Sequence, residues 1–286
     1  MQEGEGSKSA EFVCLARAAA HGETKAPKFS DPTALAFLSE EARASLLRLR
    51  AGASEARDQL QHYLVRMRSE VLVARTIAVD EAIRAAAVSQ LVNLGAGLDG
   101  RAWRMSELAN AVVFEVDHPG AQAEKRLRAA ALTPMAREVR FVPVDFARDS
   151  LDTALASAGH EAKTPTMWLW EGVVPYLTAV QVEATLAVIQ SRSAPGSRLA
   201  VVYQSPSQAA TVGTPSGAVP SQNLWKNEPL QSWWTPEQMQ AQLDRAGFRV
   251  ASDRDLVELA AEFGADLSSA GQLVREGRVV VAARRW

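Results

Sequence analysis

The 286 residues contain one cysteine, Cys14, so no internal disulfide framework can form, and Cys14 alone cannot build a structural zinc site. It reads as a small buried apolar residue. Histidine is scarce as well: His21, His62, His118 and His160 are the full set. Neither sign of charge dominates, because 31 basic and 33 acidic residues are interspersed to a net charge of -2. Without a basic field to hold a phosphate backbone, nucleic acid is excluded as an expected partner. No stretch approaches the roughly 20 apolar residues that cross a bilayer, and residues 1–10, rich in Gly, Glu and Ser, have no apolar core. These absences predict a soluble, cytoplasmic chain with no membrane or metal partner. Its oligomeric state is not legible.

What is present suits one large domain, or one domain with a cap, since 47% hydrophobic residues suffice for a sizeable core. Hydrophobic period divides the chain. Residues 1–10 read as a disordered tail and 11–89 as a helical cap, with helices expected over 11–20, 32–40, 41–50 and 54–87. Asp31 before Pro32 suits an N-cap and first helical position. From Gln90 short apolar strands alternate with amphipathic segments, at 90–94, 111–117, 139–145, 167–170 and 198–203. Two last strands are expected around 246–250 and 277–282. That alternation predicts an α/β fold, a doubly wound, mostly parallel sheet with helices on both faces, filling 90–286. A Ser, Pro, Gly and Gln-rich stretch at about 204–232 is too long for a plain turn and is read as a lid insertion over a ligand pocket.

The first strand runs into Asn93-Leu94-Gly95-Ala96-Gly97-Leu98-Asp99-Gly100, and the acid Asp117 follows Gly97 by 20 residues. Gly95 and Gly97 permit a sharp turn and close approach of the backbone to a ligand, and Asp117, ending the second strand, can accept bonds from ribose hydroxyls. Glycine turns also close ordinary strand-to-helix connections. Asp145-Phe146 end the third strand and Glu171-Gly172 follow the fourth, which is where open α/β sheets bind ligands. Asp145 equally suits the N-cap of the next helix. A carboxylate at Glu171, between Trp168-Leu169-Trp170 and Val173-Val174, is costly to bury without a partner.

Three segments stand out together: Asn93 to Asp99, Phe114-Glu115-Val116-Asp117-His118-Pro119, and Glu171-Gly172-Val173-Val174-Pro175-Tyr176-Leu177. In combination they resemble the S-adenosylmethionine-dependent O-methyltransferases of the leucine carboxyl methyltransferase family, in particular the bacterial branch associated with polyketide and other secondary metabolism. Ala74-Arg75-Thr76 with Asp80, Phe29-Ser30-Asp31-Pro32 and Ala194-Pro195-Gly196-Ser197 match too. The resemblance implies a class I methyltransferase, Rossmann-like, with seven strands and S-adenosyl-L-methionine as cofactor. It implies that Gly95, Ala96 and Gly97 cradle the methionine part, Asp117 binds the ribose, Asp145 and Phe146 meet the adenine, and Arg75 pairs with the cofactor carboxylate. Glu171 is expected near the cofactor's amino-acid end and Tyr176 at the mouth of the acceptor pocket. Gly100 departs from the pattern, which usually has a small hydroxyl residue there.

The chemistry implied is in-line transfer of a methyl group from a sulfonium to oxygen. A carboxylate acceptor needs no base, being ionised near neutral pH, whereas a phenol or alcohol is helped by one. No histidine is a convincing base. His118 and His160 read as structural or exposed, and His21 and His62 lie in the cap. The expected acceptor is a small molecule bearing a carboxylate or acidic hydroxyl, held by Tyr176 with Trp225, Trp233 and Trp234, although the tryptophans fit core packing equally. Two other readings stay open: a nicotinamide-dependent oxidoreductase, and an idle binding module that keeps the cofactor fold. Against the first, Tyr63, Tyr176 and Tyr203 all lack a Lys four residues on.

Overall fold

A computed structural model describes residues 8–52, 56–146, 148–206, 230–267 and 276–285, with only the backbone described at 56–58, 61, 62 and 67. Helices α1 (Lys8–Ala20), α2 (Ala34–Phe37), α3 (Glu40–Arg50) and α4 (Ala56–Ala86) precede the sheet. Strands β1 (Gln90–Leu94), β2 (Val112–Asp117), β3 (Glu138–Pro143), β4 (Thr166–Trp170) and β5 (Arg198–Gln204) follow. Between them lie α5 (Arg101–Arg104), α6 (Pro119–Ala129), α7 (Leu151–Ser157) and α8 (Ala179–Ser191). The chain continues through α9 (Pro236–Arg245), β6 (Phe248–Asp255), α10 (Leu256–Phe263) and β7 (Gly277–Arg284).

The seven strands are ordered β3-β2-β1-β4-β5-β7-β6, the first five parallel and β7 antiparallel to both β5 and β6. Along β1 and β4 every side chain is buried. Successive residues point to opposite faces, so Leu91, Met167 and Leu169 join one core, while Val92, Leu94, Trp168 and Trp170 join the other. Helices α7, α8 and α9 cover the second core through Leu155, Val182, Leu186, Ile189 and Leu243. The first core is shared with the N-terminal helices: Cys14, Phe37, Leu46, Val73 and Ile77 pack with Leu91, Met167 and Val202. The segment read as a cap is therefore a layer of the sheet domain, since α4 lies directly on the strands.

Local chemistry moved several boundaries. Helix α1 starts at Lys8, inside the stretch read as a tail. The helix expected over 32–40 shrinks to four residues. Its Asp31 does accept from the Ala34 N–H at 3.1 Å and the Thr33 hydroxyl at 2.8 Å, but its other oxygen is drawn 3.0 Å from the Arg17 Nε. The third strand ends at Pro143, because the chain turns after Val144 bonds back to the Asp117 carbonyl at 2.9 Å. Among the described residues no helix is long and apolar enough to cross a membrane.

Candidate active site

Strand order reverses between β1 and β4, opening a crevice at their C-terminal ends. Gly95 and Gly97 line it in the left-handed region, at φ 69° and 44°. A Cβ on Gly95 would lie 2.1 Å from Val173 Cγ2, and one on Gly97 would lie 3.3 Å from the Ala10 methyl. Glycine is thus required at 95 by β4's following turn, and the start of α1 lies over Gly97. The Gly95 and Ala96 N–H groups both donate to the Val116 carbonyl, at 2.8 and 3.0 Å.

Asp117 closes the next strand and holds the turn: its carboxylate accepts from the Gly97 N–H and from the His118 N–H, both at 2.6 Å. Burial pushes its carboxyl above the usual range, partly offset by those two donors. Pro143 is the register partner of Asp117, so Asp145 and Phe146 sit one step further along the same edge. Asp145 is not a helix N-cap, since Ser150 caps α7. Its carboxylate lies 3.7 Å from Arg148 Nε, and its N–H donates to Asp149 at 2.8 Å. Phe146 packs on the second core.

Glu171 has the partners its burial demands. Arg75 Nε lies 2.6 Å from one carboxylate oxygen and Arg101 Nη1 2.7 Å from the other. Burial opposes ionisation, but Arg101 and Arg75 outweigh it and hold the carboxyl at about 2. Arg75 is therefore no surface charge, its side chain being 15% exposed. Arg101 also reaches Asp99 and, at 2.7 Å, Asp80, which in turn binds Arg104 at 2.7 Å. Arg104 continues to Asp31 at 3.7 Å, and Arg17 binds Asp31 at 3.0 Å and the Leu98 carbonyl at 2.7 Å. Four arginines and four carboxylates so form one buried cluster joining α1, α4, the glycine turn, α5 and the end of β4. Its formal charge is zero. Sequence reasoning found Arg75 and Glu171 and passed over Asp99, Arg101, Arg104 and Arg17. The signal was available: each charge stands in an apolar segment, where the cost of burial that singled out Glu171 applies equally.

Tyr176 ends a short 3-10 turn, Val174–Tyr176, half-buried beside the crevice. Of the stretch read as a lid insertion, 207–229 lie outside the described residues, and its end, from 230 on, is fastened to this turn. Gln231 donates to the Pro175 and Tyr176 carbonyls, each at 2.6 Å, and Ser232 to the Val174 carbonyl at 2.9 Å. Trp225 lies outside the described residues. Trp233 is 41% exposed, but Trp234 is a core residue, buried with its indole N–H donating to Ser232 at 3.2 Å, which removes it from the acceptor set. Gly100 has a spatial reason: Thr33 Oγ1 stands 2.0 Å from where its Cβ would be, so a hydroxyl from α2's approach fills that place.

None of the three histidines described serves as a base. His160 is buried between Thr166 and Arg192, and burial with the Arg192 charge pushes it down to about 4. His118 caps α6 by accepting from the Gly120 N–H at 3.2 Å. His21 lies just past the end of α1 opposite Ala10, about 16 Å along the helix. The His62 side chain lies outside the described residues.

The family model of leucine carboxyl methyltransferases matches residues 10–190. The chain belongs to this family. A Frankia alni protein provisionally named an S-adenosyl-L-methionine-dependent methyltransferase is 32% identical over 265 residues, 91% of this chain and 88% of its own. A Mycobacterium tuberculosis relative with the same provisional name is 38% identical over 149 residues, and that match spans about half of each chain, 50% and 47%. Among solved structures, a DUF574 family protein from Streptomyces avermitilis superposes with a TM-score of 0.57 at 14% identity, covering 99% of both chains. A Thermobifida fusca protein provisionally described as a methyltransferase gives 0.54 at 16%, covering 98% of both. These structures share the fold of the class I methyltransferases, and S-adenosyl-L-methionine is the cofactor of the family member described here.

Proposed function

We propose that this family member transfers a methyl group from S-adenosylmethionine to an oxygen, carboxylate or acidic hydroxyl, of a small acceptor of the secondary-metabolite kind. The observation that carries this is the Arg75–Glu171 pair, set at the crevice where β1 and β4 diverge and next to the glycine turn. A guanidinium and a carboxylate side by side are complementary to the zwitterionic amino-acid end of the cofactor: Arg75 pairs with its carboxylate, as a bidentate fork can, and Glu171 with its ammonium. Arg101 keeps Glu171 ionised and aimed. Gly95, Ala96 and Gly97 lie against the methionine part. Each carboxylate oxygen of Asp117 has a second lone pair beyond the backbone bond it already accepts, so the ribose hydroxyls can donate there. Asp145 and Phe146, next along the edge, meet the adenine amine and ring.

The bound cofactor supplies the electrophilic methyl group. The chain then has to hold the acceptor oxygen in line at roughly 3 to 3.5 Å and exclude water. Tyr176, Trp233 and Trp225 are assigned to that pocket, beside the insertion stitched to Val174–Tyr176. With none of the described histidines placed to take a proton, an acceptor already ionised suits the site best. Calorimetric titration with S-adenosylmethionine, S-adenosylhomocysteine and the nicotinamide nucleotides, followed by transfer of labelled methyl to a panel of small acids and phenols, tests this. Binding of a nicotinamide nucleotide in place of S-adenosylhomocysteine would refute it. Arg75→Lys should weaken S-adenosylhomocysteine binding and Arg75→Ala more so. Asp117→Ala should also weaken it, by about 1.5–3 kcal/mol for each ribose bond lost.

A further inference from the structure

Arg17, Arg75, Arg101 and Arg104 are each met by a carboxylate. Arg68 differs. It is half-buried on α4, and among the described residues no carboxylate forms an ion pair with it. Seven residues before Arg75, it leaves the helix within about 20° of the same direction, about 10.5 Å further toward the α4 N-terminus. Arg68 lies within electrostatic reach of Tyr176, a neutral phenol near neutral pH, and of Arg75. Burial lowers its hold on the proton, and Arg75, a second cation, adds to that. A desolvated guanidinium with another for a neighbour is a place where an anion is strongly favoured. The Tyr176 turn is also where Gln231 and Ser232 anchor the insertion. Arg68 accordingly stands on the acceptor side of the crevice, one step out from the pair assigned to the cofactor.

We propose that Arg68 is an acceptor-binding residue that pairs with a carboxylate of the acceptor, and that this carboxylate is an anchor distinct from the oxygen receiving the methyl group. The inference rests on the proposed function. The two groups differ for a chemical reason: a carboxylate gripped by a guanidinium fork has its charge balanced and its lone pairs engaged, which makes it a poor nucleophile. The acceptor is then a hydroxy acid or a diacid, held by one acidic group while another oxygen faces the sulfonium.

The test uses the full chain saturated with S-adenosylhomocysteine and two matched probe pairs, 4-hydroxybenzoate with 4-hydroxybenzamide, and 6-hydroxyhexanoate with its amide. At least one acid should bind tenfold or more tightly than its amide. Arg68→Gln should bring that acid to the level of the amide, and Arg68→Lys should retain part of the preference. S-adenosylhomocysteine affinity should stay within about twofold in both variants, which also reports that they are folded. Acid and amide binding alike, neither probe of either pair binding, or an acid preference that survives Arg68→Gln would each overturn the assignment. Failure of the parent chain to bind S-adenosylhomocysteine is a separate readout, and it would overturn the proposed function together with this inference.

Discussion

Replacing Glu171 by Gln keeps the shape of the side chain and removes one negative charge from a cluster whose four arginines and four carboxylates now cancel. Arg75 and Arg101 would face an amide, with side chains 15% and 3% exposed, so water cannot compensate. Breaking a buried pair in this way costs about 3–5 kcal/mol. Arg101 retains Asp80 and Asp99; Arg75 has no second carboxylate among the described residues, so most of the cost falls on Arg75. Arg75→Gln alone should cost less, about 1–3 kcal/mol, because Glu171 keeps Arg101. The double variant returns the cluster to three charges of each sign and should be more stable than Glu171→Gln alone, giving a coupling of at least about 1 kcal/mol, the least that Arg75→Gln costs by itself. Urea unfolding of the four proteins measures this cycle. Additivity within about 0.5 kcal/mol would show that the two side chains act independently and that the cluster is no electrostatic unit. All three variants should also lose S-adenosylhomocysteine binding.

Other expectations come from single contacts. Gly100→Ala places a methyl 2.0 Å from Thr33 Oγ1 and should cost about 1–3 kcal/mol by denaturant unfolding, most of it recovered by adding Thr33→Ala. Lys125→Met strands Glu115, which lies 2.6 Å from the ammonium and which burial already pushes up to about 7; the loss should be about 3–5 kcal/mol, with much of it recovered in the double variant carrying Glu115→Gln. His160 is held near 4 in the fold against 6.5 for the free side chain, so the unfolded chain takes up a proton first and stability falls as pH drops from 6.5 through 4. The loss is at most about 3 kcal/mol, and in His160→Gln the fall over that interval should be shallower; an unchanged slope would refute it.

Strands were legible where burial on both faces leaves short, mainly apolar segments between helical ones, as at Gln90–Leu94, whose ends matched the reading although Gln90 and Asn93 are polar. The helical layer was legible as helices but not as a layer, because periodicity reports that a face is apolar without saying what covers it. Only the packing of Val73 and Ile77 on Met167 and Val202 discloses that. Asp31 shows a second limit. Asp before Pro is a sound capping signal, yet sequence pattern does not report which charge lies nearby in space, and it was the spatial neighbour Arg17 that drew one carboxylate oxygen away from the helix. Trp234 was read as a pocket or a core residue, and the fold makes it a core one, because an indole beside a loop reads the same whether it faces a ligand or the core. The Arg75–Glu171 pairing joins residues far apart in sequence, which no local pattern encodes.

The neutrality of the buried cluster bears on how the site responds to its surroundings. A ligand end carrying one positive and one negative charge enters a place that already holds one of each, and no ion has to be shed or gathered as it does so. Recognition can therefore be strongly electrostatic in its contacts while its strength varies little with ionic strength. An anion arriving at Arg68 has no such counterweight, so the two halves of the crevice should differ in their sensitivity to salt: nearly indifferent at the Glu171 end, and steep on the acceptor side.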